Sequence, residues 1–278
     1  AVIVIKTGKL DHIEASHALL RGVKVSVRLT IGPSQARDTM RVDVLSLQSF
    51  YAGPLGQAAR AMVGARLSSL WPDVTGMDVL GFGYATPVLD GFRDSARRTL
   101  AFMPAAQGVE KWPADGPIAA TIGEEDRLPF ADAMFDRIVL IHALEEALEP
   151  RALLREVWRI LAPEGRLAVV VANRRGLWAN AEATPFGHGR PYTKTQLANL
   201  LQAALFQPTA WARALYAPPL AWPIAAGAAD NWEAAGEKLW PALGGVLLAE
   251  AVKRLYIEPG KPAAARVLMA GAPVKARF

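Results

Sequence analysis

Apolar and polar positions alternate so as to divide the chain into short strands separated by longer helical stretches. From 56 to 70, "GQAARAMVGARLSSL" sets Ala59, Met62, Val63, Leu67 and Leu70 at helical spacing and predicts an amphipathic helix. "MDVLG" follows as a short buried strand, and a helix is expected over 87–98. "TLAFM" at 99–103, "IAATI" at 118–122 and "DRIVLI" at 136–141 read as the second, third and fourth strands. Over 149–161, Leu153, Leu154, Val157, Trp158 and Leu161 share one face of a helix, with Pro150 near its start and "APEG" closing it. "RLAVVVA" at 166–172 is a fifth, fully apolar strand.

Further on, Thr193 stands where it would cap the helix "KTQLANLLQAAL". "PTAWARALYAPP" predicts a sixth strand, 231–243 a helix, and "GVLLAEAVKRLYI" at 245–257 an edge strand closing the sheet. Strands and helices alternating at these distances imply an α/β, doubly wound, mostly parallel sheet covered on both faces. Ligands of such sheets bind beyond the C-terminal ends of the strands, which is where "GFGYATP" at 81–87 emerges. Gly81 and Gly83 permit a sharp turn and close backbone approach, and the helix after the turn offers its first amides to a polar ligand group.

Composition narrows the class. With 278 residues and 52% hydrophobic content the chain can bury a full core. Zero cysteines exclude disulfides, thiolate metal sites and cysteine nucleophiles, and make a cytoplasmic enzyme the default expectation. No carboxylate and histidine cluster suggests a metal. The opening "AVIVI" is too short for a signal-peptide core, and the apolar run 215–229 is broken by Pro218, Pro219 and Pro223, so no membrane insertion is expected. Residues 1–39 differ in composition from the rest and read as an extension before Met40, with a strand at 23–31. A net charge of +5 leans mildly towards an anionic partner. Lys253, Arg254, Lys261, Arg266, Lys275 and Arg277 read as a solvated basic surface, with 259–278 as a tail.

A dinucleotide-binding loop wants a third glycine three places after Gly83 and an acid some twenty residues on. Thr86 holds the first place and "AFMPAAQG" supplies no acid at the second, which argues against NAD. Three later pieces carry a resemblance instead: "LPF" at 128–130, "FD" at 135–136 opening the fourth strand, and "EVWRILAPEGRL" at 156–167. With "GFG" in front of them, residues 50–210 resemble a class I S-adenosylmethionine-dependent methyltransferase of the large small-molecule group. The resemblance implies a Rossmann-like, seven-stranded sheet over 40–258, a helical N-terminal segment, and S-adenosyl-L-methionine as cofactor.

By the same resemblance, Gly81, Gly83 and Ala85 pass beside the methionine part of the cofactor. Glu124 accepts a hydrogen bond from the adenine amino group, and Glu125 offers its backbone amide to the ring. His142 lies near the sulfonium, and Tyr51 belongs to a segment that lids the cofactor. Three positions depart from the family pattern. Val79 stands where an acid is usual, with Asp78 one step off and so on the opposite face of the strand. Ala85 replaces the third glycine, a change a helical backbone tolerates. The acid that holds the ribose at the end of the second strand is absent around Met103, which predicts a loss of tenfold to a hundredfold in affinity, about 1.5–3 kcal/mol, unless Gln107 or a backbone group substitutes.

Residues 172–197 leave the fifth strand at the same sheet edge and carry Asn173, Arg174, Arg175, Trp178, His188, Arg190 and Tyr192. A long loop of this composition at a ligand edge reads as a substrate lid over 173–192, joined by 217–243. Arg174, Arg175 and Arg190 could hold a carboxylate or phosphate, with Trp178 and Tyr192 beside them. His142 and His188 are the candidate bases for an acceptor that loses a proton; His142 is equally readable as a histidine bonded to a backbone carbonyl. Trp222, Trp232 and Trp240 read as core, or alternatively as a hydrophobic cap. The function expected is methyl transfer to a small-molecule acceptor. An RNA-directed methyltransferase or a non-catalytic binding protein of the same fold stands as the alternative.

Overall fold

A computed structural model describes residues 41–220, 229–253 and 266–267. The strand expected over 23–31 and the basic tail expected over 259–278, apart from residues 266–267, lie outside the described residues, as does Trp222. Strands β1 (Asp78–Gly83), β2 (Arg98–Pro104), β3 (Ala120–Gly123), β4 (Phe135–Ile141) and β5 (Leu161–Ala172) are parallel neighbours in the order β3-β2-β1-β4-β5. Beyond β5 the order continues with β7 (Val246–Lys253), β6 (Phe206–Ala214) and the two-residue β8 (Arg266–Val267). β7 runs antiparallel to both β5 and β6. It is therefore an interior strand, not the edge strand its position in the sequence predicted. Its eight residues are all buried, as a strand packed on both faces requires.

The sheet separates two apolar layers. Val79, Met103, Val139 and Val170 point to the side covered by α2 (Pro54–Leu70), whose Ala59, Met62, Val63 and Leu67 are buried there. Leu80, Phe82, Ile138 and Leu140 point to the other side, against Leu153, Leu154 and Val157 of α4 (Pro150–Ile160) and Leu197 and Leu201 of α5 (Lys194–Ala203). Neighbouring strand residues thus feed opposite cores, the period-two rule at work in a doubly wound sheet. Thr193 caps α5 as expected, with Gln196 completing a reciprocal capping box.

Some elements differ from the sequence expectation. The helix expected over 87–98 contracts to α3 (Thr86–Leu89) and one 3-10 turn, Asp90–Phe92. Gly91, Asp94 and Ser95 are weak helix formers, and Asp90 bonds outward to Arg60 and to the Trp112 indole. Lys253, expected on a solvated basic surface, is buried, donates to the Leu161 carbonyl at 2.5 Å and lies over the Trp158 ring. Trp232, in the helix α6 (Ala229–Leu239), packs on the first core, whereas Trp240 is half exposed. Among the described residues no helix is long and apolar enough to cross a membrane.

Candidate functional site

Strand order reverses about β1, which lies between β2 and β4, so a crevice opens beyond the C-terminal ends of these strands. β1 runs through the glycines to Gly83, whose φ is +82°. A side chain there would collide with the Ile141 carbonyl, and the same oxygen accepts from the Tyr84 amide at 2.9 Å. Glycine at 83 thus lets the loop after β1 fold against the end of β4. Gly81 is packed against Leu89 and Ala85, and Ala85 has a helical backbone at the start of α3, so its methyl group is accommodated.

Asp78 does not enter this crevice. Its carboxylate, at the opposite end of β1, is held by Arg97 and Arg98 at 2.7 Å, and the Arg97 guanidinium above all keeps it below the ordinary carboxylate range. A carboxylate further along the chain lies beside the loop after β1. Glu110 accepts from the Tyr84 hydroxyl at 3.0 Å, from the Thr86 hydroxyl, and from the Gln48 amide at 2.8 Å, while its own amide reaches Met103 Sδ. Sequence reading missed it because the turn after β2 brings it back from six residues beyond Pro104. Gln107 lies in that turn, buried, and neither its amide oxygen nor its nitrogen has a partner among the described residues.

The segment before β1 covers the same edge. Asp43 caps α1 (Val44–Ala52) through the Leu45 and Ser46 amides, and the Val44 amide bonds the Gln107 carbonyl at 2.8 Å. α1 thereby sets the Tyr51 hydroxyl 2.9 Å from His142 Nε2 and stacks the Tyr51 ring on Tyr84 at 5.5 Å. His142, directly after β4, adopts a left-handed backbone with φ +50°. Its ring is buried, 4.6 Å from Phe186, and burial pulls its pKa down to about 3, so it is neutral at physiological pH. Burial raises the Tyr51 phenol, with Tyr84 and Glu145 adding to the shift.

Of the remaining residues singled out from sequence, Glu124 is exposed at the end of β3. The Glu125 carboxylate is taken by Arg41 and by the Leu148 amide at 3.1 Å, and burial raises it despite the arginine. The loop after β5 is more tightly attached than the expected lid. Asn173 donates to the Ala242 and Gly244 carbonyls at 3.0 and 2.6 Å. Trp178 is buried with its indole on the Ala217 carbonyl at 2.8 Å, and the buried Tyr192 donates to the Leu144 carbonyl. Both aromatics are thus buried, with their polar atoms on backbone carbonyls of the fold. Arg174, Arg175, Arg190 and His188 are exposed; Arg174 donates to the Pro191 carbonyl, and His188 bonds the Glu182 carbonyl at 2.9 Å.

Comparison with known proteins agrees with this topology. Residues 80–169 match the methyltransferase domain family. Over 47 residues, 17% of this chain, the sequence is 43% identical to the demethylmenaquinone methyltransferase of Mycolicibacterium paratuberculosis, and the match spans 20% of that protein. The fold is similar to that of an S-adenosylmethionine-dependent methyltransferase of Thermotoga maritima, with a TM-score of 0.53, 14% identity, and 76% of this chain and 96% of that one covered. It is also similar to an S-adenosylmethionine-dependent methyltransferase of Mesorhizobium loti, with a TM-score of 0.50, 17% identity, and 67% and 95% covered. Residues 80–169 thus match the methyltransferase domain family in sequence, and the sheet order is that of a fold shared with S-adenosylmethionine-dependent methyltransferases.

Proposed function

We propose that the chain transfers the methyl group of S-adenosylmethionine to a small, apolar, ring-bearing acceptor. The Glu110 carboxylate carries this reading. It stands beyond β2, beside the loop that follows β1, and already accepts two hydroxyl hydrogens, from Tyr84 and Thr86. A ribose presents a neighbouring pair of hydroxyls, which a carboxylate can accept in the same way. The unpartnered, buried Gln107 amide in the same turn offers a donor and an acceptor beside it. The residues present therefore fit the nucleoside part of the cofactor, with Glu110 taking over the role of the acid missing near Met103. Glu124, exposed at the end of β3, suits the adenine amino group, and the Glu125 backbone remains available to the ring while its side chain is held by Arg41.

Bound there, S-adenosylmethionine supplies a methyl carbon on a sulfonium, whose leaving group is already activated. The chain's task is to align the acceptor and exclude water. Gly81, Gly83 and Ala85 bring backbone close, and Tyr51 on α1 covers the edge. Phe50 packs on Tyr51, and Phe186 on Phe50, His142 and Trp178, which gives the covered edge an aromatic wall. Such a wall favours a planar apolar ring. His142, neutral and far below the pKa of an efficient base near pH 7, acts here by holding Tyr51. Arg174, Arg175 and Arg190 suit an anionic substituent on the acceptor.

The test is donor labelled in its methyl group, incubated with the protein and either a small-molecule extract or total RNA. Label in the small-molecule fraction supports the reading. Label in RNA would move the activity to the alternative substrate class, and binding of the donor with no label transferred to either would leave a non-catalytic protein.

A further inference from the structure

The loop from β4 to α4 contains a buried carboxyl that the account above does not use. Glu145 is 7% exposed. Its Oε1 accepts from the Ala172 amide at 3.2 Å, at the end of β5, whereas its Oε2 is buried and has no partner among the described residues. The backbone is fixed as well. The Arg190 amide donates to the Glu145 carbonyl at 2.8 Å, and Gly189, with φ +72°, lies so close that a side chain there would come within 2.7 Å of the same oxygen. The carboxyl is thus locked at the C-terminal edge of β4 and β5, in the same loop as His142 and close enough to raise the Tyr51 phenol.

Charged and titratable groups surround it on every side. Arg41 precedes α1, pairs directly with Glu125 from the loop after β3, and also draws down Glu145 and Glu146. Glu146 lies on the same loop and accepts from the Val42 amide at 3.1 Å. Tyr51 faces it from α1 and Tyr192 from the segment before α5, where the Arg190 backbone amide holds the Glu145 carbonyl. One arginine is therefore shared by three glutamates. Burial outweighs it, and Glu145 titrates at about 7.

We propose that Glu145 is the proton acceptor of the methylation, its Oε2 receiving the hydrogen that the acceptor's O–H or N–H loses. The inference rests on the methyltransferase reading. When O–H or N–H becomes O–CH3 or N–CH3, one proton is released. The new O–C or N–C bond forms as the donor's methyl C–S bond breaks with its electron pair passing to sulfur; the O–H or N–H pair stays on oxygen or nitrogen, and the proton converts the carboxylate to the acid. The reacting group of the acceptor is accordingly a neutral phenol or alcohol hydroxyl or a neutral amine. A carboxyl poised near neutrality can take this proton and return it to water, which a histidine titrating at about 3 cannot do efficiently.

A carboxylate that takes this proton must stand close enough to the donor to sense its positive charge. The experiment is calorimetric titration at pH 7 with S-adenosylmethionine and with S-adenosylhomocysteine, which lacks the sulfonium charge, each in two buffers of different ionisation enthalpy, which counts protons exchanged on binding. S-adenosylmethionine is expected to release several tenths of a proton more than S-adenosylhomocysteine. Glu145→Gln, which keeps an oxygen for the Ala172 amide, should abolish that difference while both ligands still bind; Glu146→Gln should preserve it. Equal proton counts in the wild type, or a difference that survives Glu145→Gln, overturns the proposal and leaves the methyltransferase reading standing. Failure of both ligands to bind the wild type overturns both.

Discussion

The Tyr84 hydroxyl donates to Glu110 at 3.0 Å, tying the loop after β1 to the turn after β2. Two segments that a nucleoside would have to touch together are thus joined before any ligand arrives. The same carboxylate takes the Gln48 amide of α1, so the helix that covers the edge is coupled to the group that we assign to the ribose. Ligand hydroxyls would compete with those of Tyr84 and Thr86, which implies that α1 loosens or shifts as the cofactor enters.

The Tyr51–His142 contact gives a prediction separable from cofactor binding. Tyr51→Phe leaves the ring packing on Tyr84 and removes the hydroxyl 2.9 Å from His142 Nε2. A buried ring nitrogen then lacks its partner, at a cost of about 1–3 kcal/mol. Urea unfolding followed by circular dichroism should show that loss, and an unchanged midpoint would mean the contact contributes nothing.

Gly83→Ala tests the loop. At φ +82° an alanine is strained, and its methyl group meets the Ile141 carbonyl, which also holds the Tyr84 amide. The expected destabilisation is on the order of 2–4 kcal/mol. It should come with loss of S-adenosylhomocysteine binding even at temperatures where the variant is folded. Binding at wild-type affinity would remove this loop from the site.

The buried ionisable groups make stability depend on pH in two opposed ways. Glu145 and Glu146 titrate at about 7 when folded, against 4.5 ordinarily, so the folded chain keeps protons that the unfolded chain releases. Their contribution is present below about 4.5 and is lost as pH rises to about 7. His142 works in the opposite sense: its folded value of about 3 lies below the ordinary 6.5, so stability is lost as pH falls through that window. Glu145→Gln should therefore gain on the wild type between pH 4.5 and pH 8, by at most about 3 kcal/mol in urea titrations. His142→Gln should flatten the acid limb. A constant gap between wild type and Glu145→Gln across that range would mean that Glu145 is not raised.

Much of the fold was legible because strands buried on both faces leave continuous apolar runs, as "RLAVVVA" does, and because Leu153, Leu154 and Val157 mark one helix face. The place of β7 was not legible. Its eight buried residues suit an interior strand, but chain order suggested an edge, and only pairing with both β5 and β6 decides between them. Gly83, Tyr51 and His142, all singled out from the sequence, lie together at the ends of β1 and β4. Glu110 and Glu145 escaped notice because each is defined by tertiary contacts: the first by a turn that returns it to the Tyr84 loop, the second by a loop that buries an otherwise ordinary glutamate. Trp178 and Tyr192 were read as ligand contacts from their loop, yet their polar atoms bond backbone carbonyls within the fold.

The central claim, that the edge formed by Gly83, Tyr84 and Glu110 holds the nucleoside, is tested most directly by calorimetric titration with S-adenosylhomocysteine of the wild type and of Glu110→Ala. The account predicts micromolar binding by the wild type and a loss of tenfold to a hundredfold in the variant, about 1.5–3 kcal/mol, with the fold intact by circular dichroism. Equal affinity in the two proteins would contradict the assignment of Glu110, and no binding by the wild type at millimolar ligand would contradict the account as a whole.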